Sequence, residues 1–273
     1  MEIVAIQGIA GSFHHEAALK MLGDKINLLP CATFQQVFEA VRLDRADFGV
    51  VAIENSIYGS INAVYRQLSR NTLWVSKETK LLIDQYLIGA KSINPNKIKK
   101  VLSQNPAIAQ CELWLLQNMP SVHIEETHDT AQSVRFVVEH KAEPIAAIAS
   151  KFAAQLYGGT IIAGPIQDYP DNYTRFFLIG KNKEVAPDAT KTSIILETNH
   201  KPAALYSALG IFAKARINLS KLDSHPIAND KSHYAFYIDF DSQLDERIER
   251  DVFEALRSQG CNVTVLGSYN SIN

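Results

Sequence analysis

The sequence is short of cysteine, of net charge and of long apolar runs, and each shortage removes a class of function. Cys31, Cys111 and Cys261 are the only thiols in 273 residues. Odd in number and far apart, they fit reduced cysteines better than a disulfide framework or a zinc site. Net charge is -2, from 27 Lys and Arg against 29 Asp and Glu. That balance gives no basic footprint for nucleic acid. No apolar run is long enough to span a membrane. The opening Met1 to Gly8 lacks the basic and apolar regions of an export signal. A cytoplasmic setting is therefore expected. The adjacent His14 and His15 make a poor metal pair, and His15-Glu16 has no second His to complete His-Glu-x-x-His.

What is present is a globular composition, 47% hydrophobic and 21% charged, on a chain long enough for two domains. The stretch Asp171-Asn172-Tyr173-Thr174-Arg175-Phe176-Phe177-Leu178-Ile179-Gly180 organises the rest. Its apolar run closed by Gly180 predicts a short strand buried on both faces. Asn172, Thr174 and Arg175 sit at its start, on the edge of a core. Arg175 offers a planar fork of donors matched to a carboxylate, and Thr174 a hydroxyl that can donate or accept. Taken alone, a strand start whose Arg caps a neighbouring carbonyl is the simpler reading.

Up to about residue 180 short buried strands alternate with amphipathic helices, a parallel α/β pattern. Ile3 to Ile6 leads through Gly8, Gly11, Ser12 and Phe13 into an alanine-rich helix that ends near Gly23. Glycines let backbone approach a ligand, Ser12 caps the helix, and free amides at its N-terminus attract anions. Thr33 opens a helix whose Phe34, Val37, Phe38 and Val41 form a core stripe. Phe48 to Ile53 predicts a strand ending in Glu54-Asn55-Ser56, where open α/β sheets bind ligands. Leu73 to Val75 and Leu81 to Ala90 read as strands crossing between two lobes. Ser103 ends a further strand, and Pro106 suits the first turn of a helix carrying Gln110 and Cys111. The helix after Asp129 is expected to bury Ala131, Val134 and Val138, and Ser150 and Gly158 bound another helix.

Residues 181–191 are charged, hold Pro187 and read as a linker. From 192 to 273 the predicted order is βαββαβ, a ferredoxin-like unit. Its first helix opens at Pro202, with Leu205, Leu209, Phe212 and Ala213 expected inside.

Several of these segments together resemble prephenate dehydratases. Thr174-Arg175-Phe176 after Asn172 is similar to that family's catalytic signature, and Glu54-Asn55-Ser56-x-x-Gly59 to a second motif. Gly8 to Phe13 is similar to the family's opening, with His14 in place of a small hydroxyl residue. Ser103, Gln110 and Cys111 match a further segment, with Gln104 in place of a His. The 192–273 unit resembles an ACT domain, an amino-acid-sensing module. There Pro202-Ala203-Ala204-Leu205 parallels Pro-Gly-Ala-Leu, Asn218-Leu219 matches, and Asp223-Ser224-His225-Pro226 parallels Glu-Ser-Arg-Pro.

The resemblance implies a two-lobed, periplasmic-binding-protein-like catalytic domain over 1–180 and an ACT domain over 192–273. It implies conversion of prephenate to phenylpyruvate with loss of water and CO2 and with no metal or other cofactor, arogenate dehydration being the neighbouring alternative. A non-catalytic amino-acid-binding regulator is the alternative from another class. Thr174 would act as hydroxyl donor and Arg175 would hold a carboxylate. Asn55, Ser103 and Gln110 would position the substrate, with Glu54 supporting them and Gly11, Ser12, Phe13, Ser56, Asn172 and Phe176 in the binding wall. L-phenylalanine would be the effector, bound by Ala203, Ala204, Leu205, Asn218, Leu219, Asp223, Ser224 and His225 between paired units of a homodimer or homotetramer. Nothing ahead of Met1 supplies the chorismate mutase of fused relatives, so a monofunctional enzyme is expected.

Overall fold

The computed structural model describes residues 1–70, 73–90, 93–227 and 230–272, with backbone alone at 226, 227 and 230–234. The side chain of Pro226, part of the Asp223 to Pro226 motif, is thus outside the described residues. Two compact units emerge. One comprises Met1–Tyr65 and Thr79–Phe176, the other Arg66–Glu78 and Phe177–Asn273.

The first unit has two lobes, each built on its own sheet. In lobe one, β1 (Glu2–Gln7), β2 (Ile26–Cys31) and β3 (Phe48–Asn55) are parallel with β1 in the middle. The first half of β11 (Tyr173–Gly180) lies beyond β3. Val4, Ala5, Ile6, Val50, Val51 and Ile53 are fully buried. Such unbroken apolar runs belong to strands covered on both faces. The covering helices include α1 (Phe13–Leu22) and α2 (Phe34–Arg42). Ser12 and Thr33 cap them as expected, accepting the backbone N–H of His15 and Gln36. Val37, Phe38 and Val41 are core, but Phe34 is only half-buried. It sits in the first turn, where the ring reaches the cleft rather than the sheet. β4 (Gly59–Ser60) pairs back on β3, and α3 (Asn62–Arg70) and β5 (Trp74–Leu82) follow.

Lobe two holds β6 (Tyr86–Gly89), β7 (Lys100–Ser103), β8 (His123–Glu126), β9 (Ile145–Ala149) and β10 (Thr160–Ala163), in the order β10-β6-β9-β7-β8. β7 is parallel to β8 and β9, whereas β6 is antiparallel to both β9 and β10. The expected all-parallel pattern therefore fails in this sheet. β6 is entered directly from β5 through Ile83–Gln85, with no crossover helix to return the chain in the parallel sense. Helices α4 (Asn105–Ala109), α5 (Glu112–Asn118), α6 (Thr130–Glu139) and α7 (Lys151–Tyr157) complete the lobe. Asp129 caps α6, Ser150 caps α7, and Gly158 ends α7 in the left-handed region. The buried face of α6 is Ala131, Val134 and Val137; Val138, the residue expected, is only half-buried. The stripe advances by i+3 where i+4 had been read.

In the second unit β12 (Lys191–Glu197), α8 (Ala204–Lys214), β13 (Leu219–Ile227), β14 (Asp230–Phe240), a helical stretch and β15 (Asn262–Ile272) run in βαββαβ order. The helical stretch joins α9 (Glu246–Ile248) and α10 (Glu254–Ser258) through a π turn at Glu249–Phe253. The strand order is β13-β14-β12-β15, and these neighbours pair antiparallel. That is the ferredoxin-like arrangement the sequence predicts. Ile194, Leu196, Phe212, Ile238, Phe240, Val252 and Phe253 form its core. On α8, Ala208, Ile211 and Phe212 face inward, while Ala213 is exposed and Leu205 and Leu209 are half-buried. The helix begins at Ala204 rather than at Pro202.

Candidate active site

The polar end of β3 and the start of β11 form one hydrogen-bonded cluster. Asn55 is its hub. Its Oδ1 accepts the backbone N–H of Ile57 at 3.0 Å and of Tyr58 at 3.1 Å. Those two donors fix which end of the amide is oxygen. Asn55 Nδ2 then donates to Asn172 Oδ1 at 2.7 Å and to Thr174 Oγ1 at 3.0 Å, with Tyr173 O at 3.3 Å. Since Thr174 Oγ1 accepts from Asn55, its own proton points elsewhere. No described residue takes that proton. Alternation along β11 puts Thr174 and Phe176 on the cavity side. Arg175, between them, turns away and its Nη1 meets Glu54 Oε2 at 2.7 Å.

The cavity lies between the two lobes and encloses about 1080 Å³. Gln7, Ser12, Phe13, His14, Phe34, Ala52, Asn55, Thr174 and Phe176 line it from lobe one, and Gln104, Gln110 and Asp129 from lobe two. Gln85, in the β5–β6 connection, joins them. Among the described residues the lining contains no Lys or Arg. Two helix N-termini face the cavity: that of α1 opens on it through Phe13, whereas the first-turn N–H groups of α6 are taken by the Asp129 carboxylate.

Burial shapes the titrating groups. His14 Nε2 accepts the Ala52 N–H at 3.3 Å, so the ring proton sits on Nδ1. The ring packs edge-on against Phe176 at 5.2 Å and tilted against Phe34 at 5.7 Å. Burial lowers its pKa to about 4, leaving a neutral imidazole. Burial also raises Asp129, against the pull of backbone N–H groups from Gln132, Ala131 and Ile9. Its carboxylate fills the space beside Gly8. A Cβ at Gly8 would lie 2.3 Å from Asp129 Oδ2, and φ is +89° there, so glycine is required on both counts. Burial pushes the Cys111 thiol up to about 12, which makes it inert.

Of the residues singled out in the sequence, Thr174, Asn55, Gln110, Ser12, Phe13 and Phe176 meet at the cavity wall. Glu54, Arg175, Asn172, Ser56, Ser103 and Gly11 are outside the lining. Glu54 and Arg175 pair with each other. Asn172 is fully buried against Asn55, and Ser56 Oγ accepts the Tyr173 N–H at 3.0 Å. Ser103 donates its hydroxyl to Ile148 O at 2.7 Å. The Gly11 carbonyl accepts from Ser150 Oγ at 3.4 Å. Sequence reading missed Gln85 and Asp129. The signal was there for Gln85, since Asp84-Gln85 is a polar pair inside an otherwise apolar run. Among the described residues no cluster of three His, Cys, Asp or Glu could hold a metal, and no helix is long and apolar enough to cross a membrane.

In the second unit, Ala203 precedes α8 at φ +62° with no side-chain cap, ahead of Ala204 and a half-buried Leu205. Asn218 Nδ2 donates to Asp241 Oδ2 at 2.6 Å, just before β13 begins at Leu219. His225 Nε2 lies 3.1 Å from Asp223 Oδ2, with Lys221 Nζ at 3.8 Å from the same oxygen. These three share one face of β13, while Ser224 is exposed on the other.

A sequence model described as prephenate dehydratase matches residues 4–184. The chain belongs to the prephenate dehydratase family. It is 36% identical over 97% of its length to a bifunctional chorismate mutase/prephenate dehydratase of Aquifex aeolicus, covering 73% of that protein. It is 33% identical over 97% of its length to arogenate dehydratase/prephenate dehydratase 2 of Arabidopsis thaliana, covering 72% of it. Among solved structures, prephenate dehydratase from Arthrobacter aurescens in complex with L-Phe superposes with a TM-score of 0.87 at 29% identity, over 98% of this chain and 89% of that one. The two-lobed mixed α/β unit is thus the architecture of a prephenate dehydratase, and the Thr174 cluster falls within the matched residues.

Proposed function

We propose that this chain converts prephenate to phenylpyruvate, with loss of water and CO2. One observation carries the reading: Thr174 presents a hydroxyl proton to the cavity while Asn55 satisfies its oxygen. Prephenate has a ring hydroxyl that leaves only with proton assistance. Thr174 donates a hydrogen bond into that departing oxygen. The C–O bond breaks as the ring carboxylate releases CO2, and the freed electron pair completes the aromatic ring. The net proton that turns hydroxide into water comes from solvent, with Thr174 as its point of delivery. Asn55 Nδ2 stays hydrogen-bonded to Oγ1 and steadies it as its proton is drawn off.

The substrate's two carboxylates meet no cationic side chain in the lining. Backbone N–H groups at the start of α1 receive them, with Ser12 and Gln110 as further donors. The Glu54–Arg175 pair, with side chains 25% and 7% exposed, holds β3 against β11 and so keeps Asn55 under Thr174. In this reading Ser103, Ser56, Asn172 and Gly11 act from behind the wall.

We further infer that the second unit is an ACT domain that binds L-phenylalanine and lowers activity in a homodimer or homotetramer. The βαββαβ order and the likeness to a relative crystallised with L-Phe support this. The three free cysteines support a reducing, cytoplasmic setting. The deciding experiment incubates the purified protein with prephenate, then with arogenate. Phenylpyruvate from the first at much the higher kcat/KM is expected. Turnover of arogenate alone would replace the substrate, and turnover of neither would remove the dehydratase reading.

A further inference from the structure

Gln85 is 2% exposed and lines the cavity, yet its Oε1 has no hydrogen-bond partner among the described residues. Everything else about the residue is fixed. Its N–H donates to Gln167 Oε1 at 2.9 Å, and Gln167 is held in turn by Asp84 at 2.7 Å. Its carbonyl accepts from Ile166 at 2.8 Å. Its Nε2 donates to Gln110 Oε1 at 3.1 Å, and the Gln110 carbonyl is anchored by the Asp168 N–H at 2.7 Å. A buried acceptor left over from so rigid a network is costly, and a cavity wall is where a ligand can satisfy it.

The chemistry of the ligand narrows what that acceptor takes. Prephenate at neutral pH carries two carboxylates, a ketone and one hydroxyl. Every polar atom but that hydroxyl is purely an acceptor. We propose that Gln85 is a specificity-determining residue whose Oε1 accepts the hydrogen bond of the substrate's ring hydroxyl. The inference rests on the dehydratase reading and adds a second contact to the leaving group. Thr174 then donates to the same oxygen that Gln85 holds by its hydrogen. As the oxygen gains a proton and departs as water, its O–H becomes a stronger donor, so the Gln85 contact tightens in the transition state. No bond to Gln85 forms or breaks.

The test uses Gln85→Leu and Gln85→Glu, each checked for folding by circular dichroism. Prephenate turnover is measured beside competitive inhibition by phenylpyruvate, which lacks the hydroxyl. Gln85→Leu should lower kcat/KM about 10- to 100-fold, the scale of one directed hydrogen bond, with the phenylpyruvate Ki within about twofold of wild type. Gln85→Glu keeps an acceptor in place and should retain at least about five times the kcat/KM of the Leu variant. Should the Leu variant not fold, Gln85→Met takes its place under the same criteria, since its thioether is of similar length and only a weak acceptor. Equal weakening of prephenate and phenylpyruvate would show that Gln85 only shapes the cavity, and unchanged kcat/KM would show that it touches nothing. Either result overturns the proposal. A wild type inert towards prephenate would sink the dehydratase reading itself, a failure distinct from both.

Discussion

The two walls of the cavity use the same residue types in opposite ways. On lobe one, Thr174 accepts from Asn55 and keeps its proton for the cavity. On lobe two, Ser103 gives its proton to the Ile148 carbonyl and sits behind the wall. Both are buried hydroxyls at the ends of sheet strands, and in the sequence only the motif around Thr174 sets it above Ser103. What separates them is the direction of one hydrogen bond. A hydroxyl whose oxygen is satisfied by a donor becomes a donor in turn, and one that has found a carbonyl is spent.

The largest effect should come from removing the available proton. Thr174→Val keeps the shape and loses the hydroxyl, and kcat should fall on the order of 100-fold or more. Steady-state kinetics that stayed near wild type would put Thr174 on a par with Ser103. His14 on the same wall offers a second contrast, read by pH. The folded imidazole stays neutral down to about pH 4, whereas an unfolded one protonates near 6.5. Between those values the unfolded state binds the extra proton, so stability falls as pH falls, by up to about 1.4 kcal/mol per unit. Urea melts of wild type and His14→Phe at pH 4.5 to 7 should differ by that slope. Parallel curves would mean the ring is charged in the fold.

Ser103→Ala should be milder. It strips one donor from the Ile148 carbonyl, costing about 1 kcal/mol of stability, with kcat lowered less than tenfold. A collapse of kcat without loss of stability would break the contrast between the walls. The smallest effect belongs to the second unit, which enters α8 with neither kind of hydroxyl. Ala203 holds φ +62° and no cap, so Ala203→Gly should raise stability by about 0.5–1 kcal/mol in thermal melts. A loss would show that its methyl packs usefully.

What could be read from the sequence was what is set locally. Ser12, Thr33, Asp129 and Ser150 were legible as caps because a cap is satisfied within four residues. The βαββαβ order of the second unit was legible because turns and periodicity announce it. Glu54-Asn55-Ser56 and Thr174-Arg175-Phe176 were legible as motifs, by likeness to a family. The rest depended on partners distant in the chain. The antiparallel entry of β6 is decided by a connection with no helix, and Val137 rather than Val138 by how α6 lies on its sheet. Phe34 reads as core until the cavity is seen. Gln85 hides in an apolar run, and its meaning comes from Gln110, 25 residues on.

The most direct measurement reverses the hydrogen bond that separates the two walls. Asn55→Asp is nearly isosteric but places an acceptor beside Thr174 Oγ1, so the threonine proton is drawn to the introduced carboxylate and away from the cavity. The expected result is a fall in kcat as deep as that of Thr174→Val, with the double variant no worse than either alone. An Asn55→Asp enzyme that kept wild-type kcat, or a double variant whose losses multiplied, would contradict a Thr174 proton freed for the substrate by Asn55.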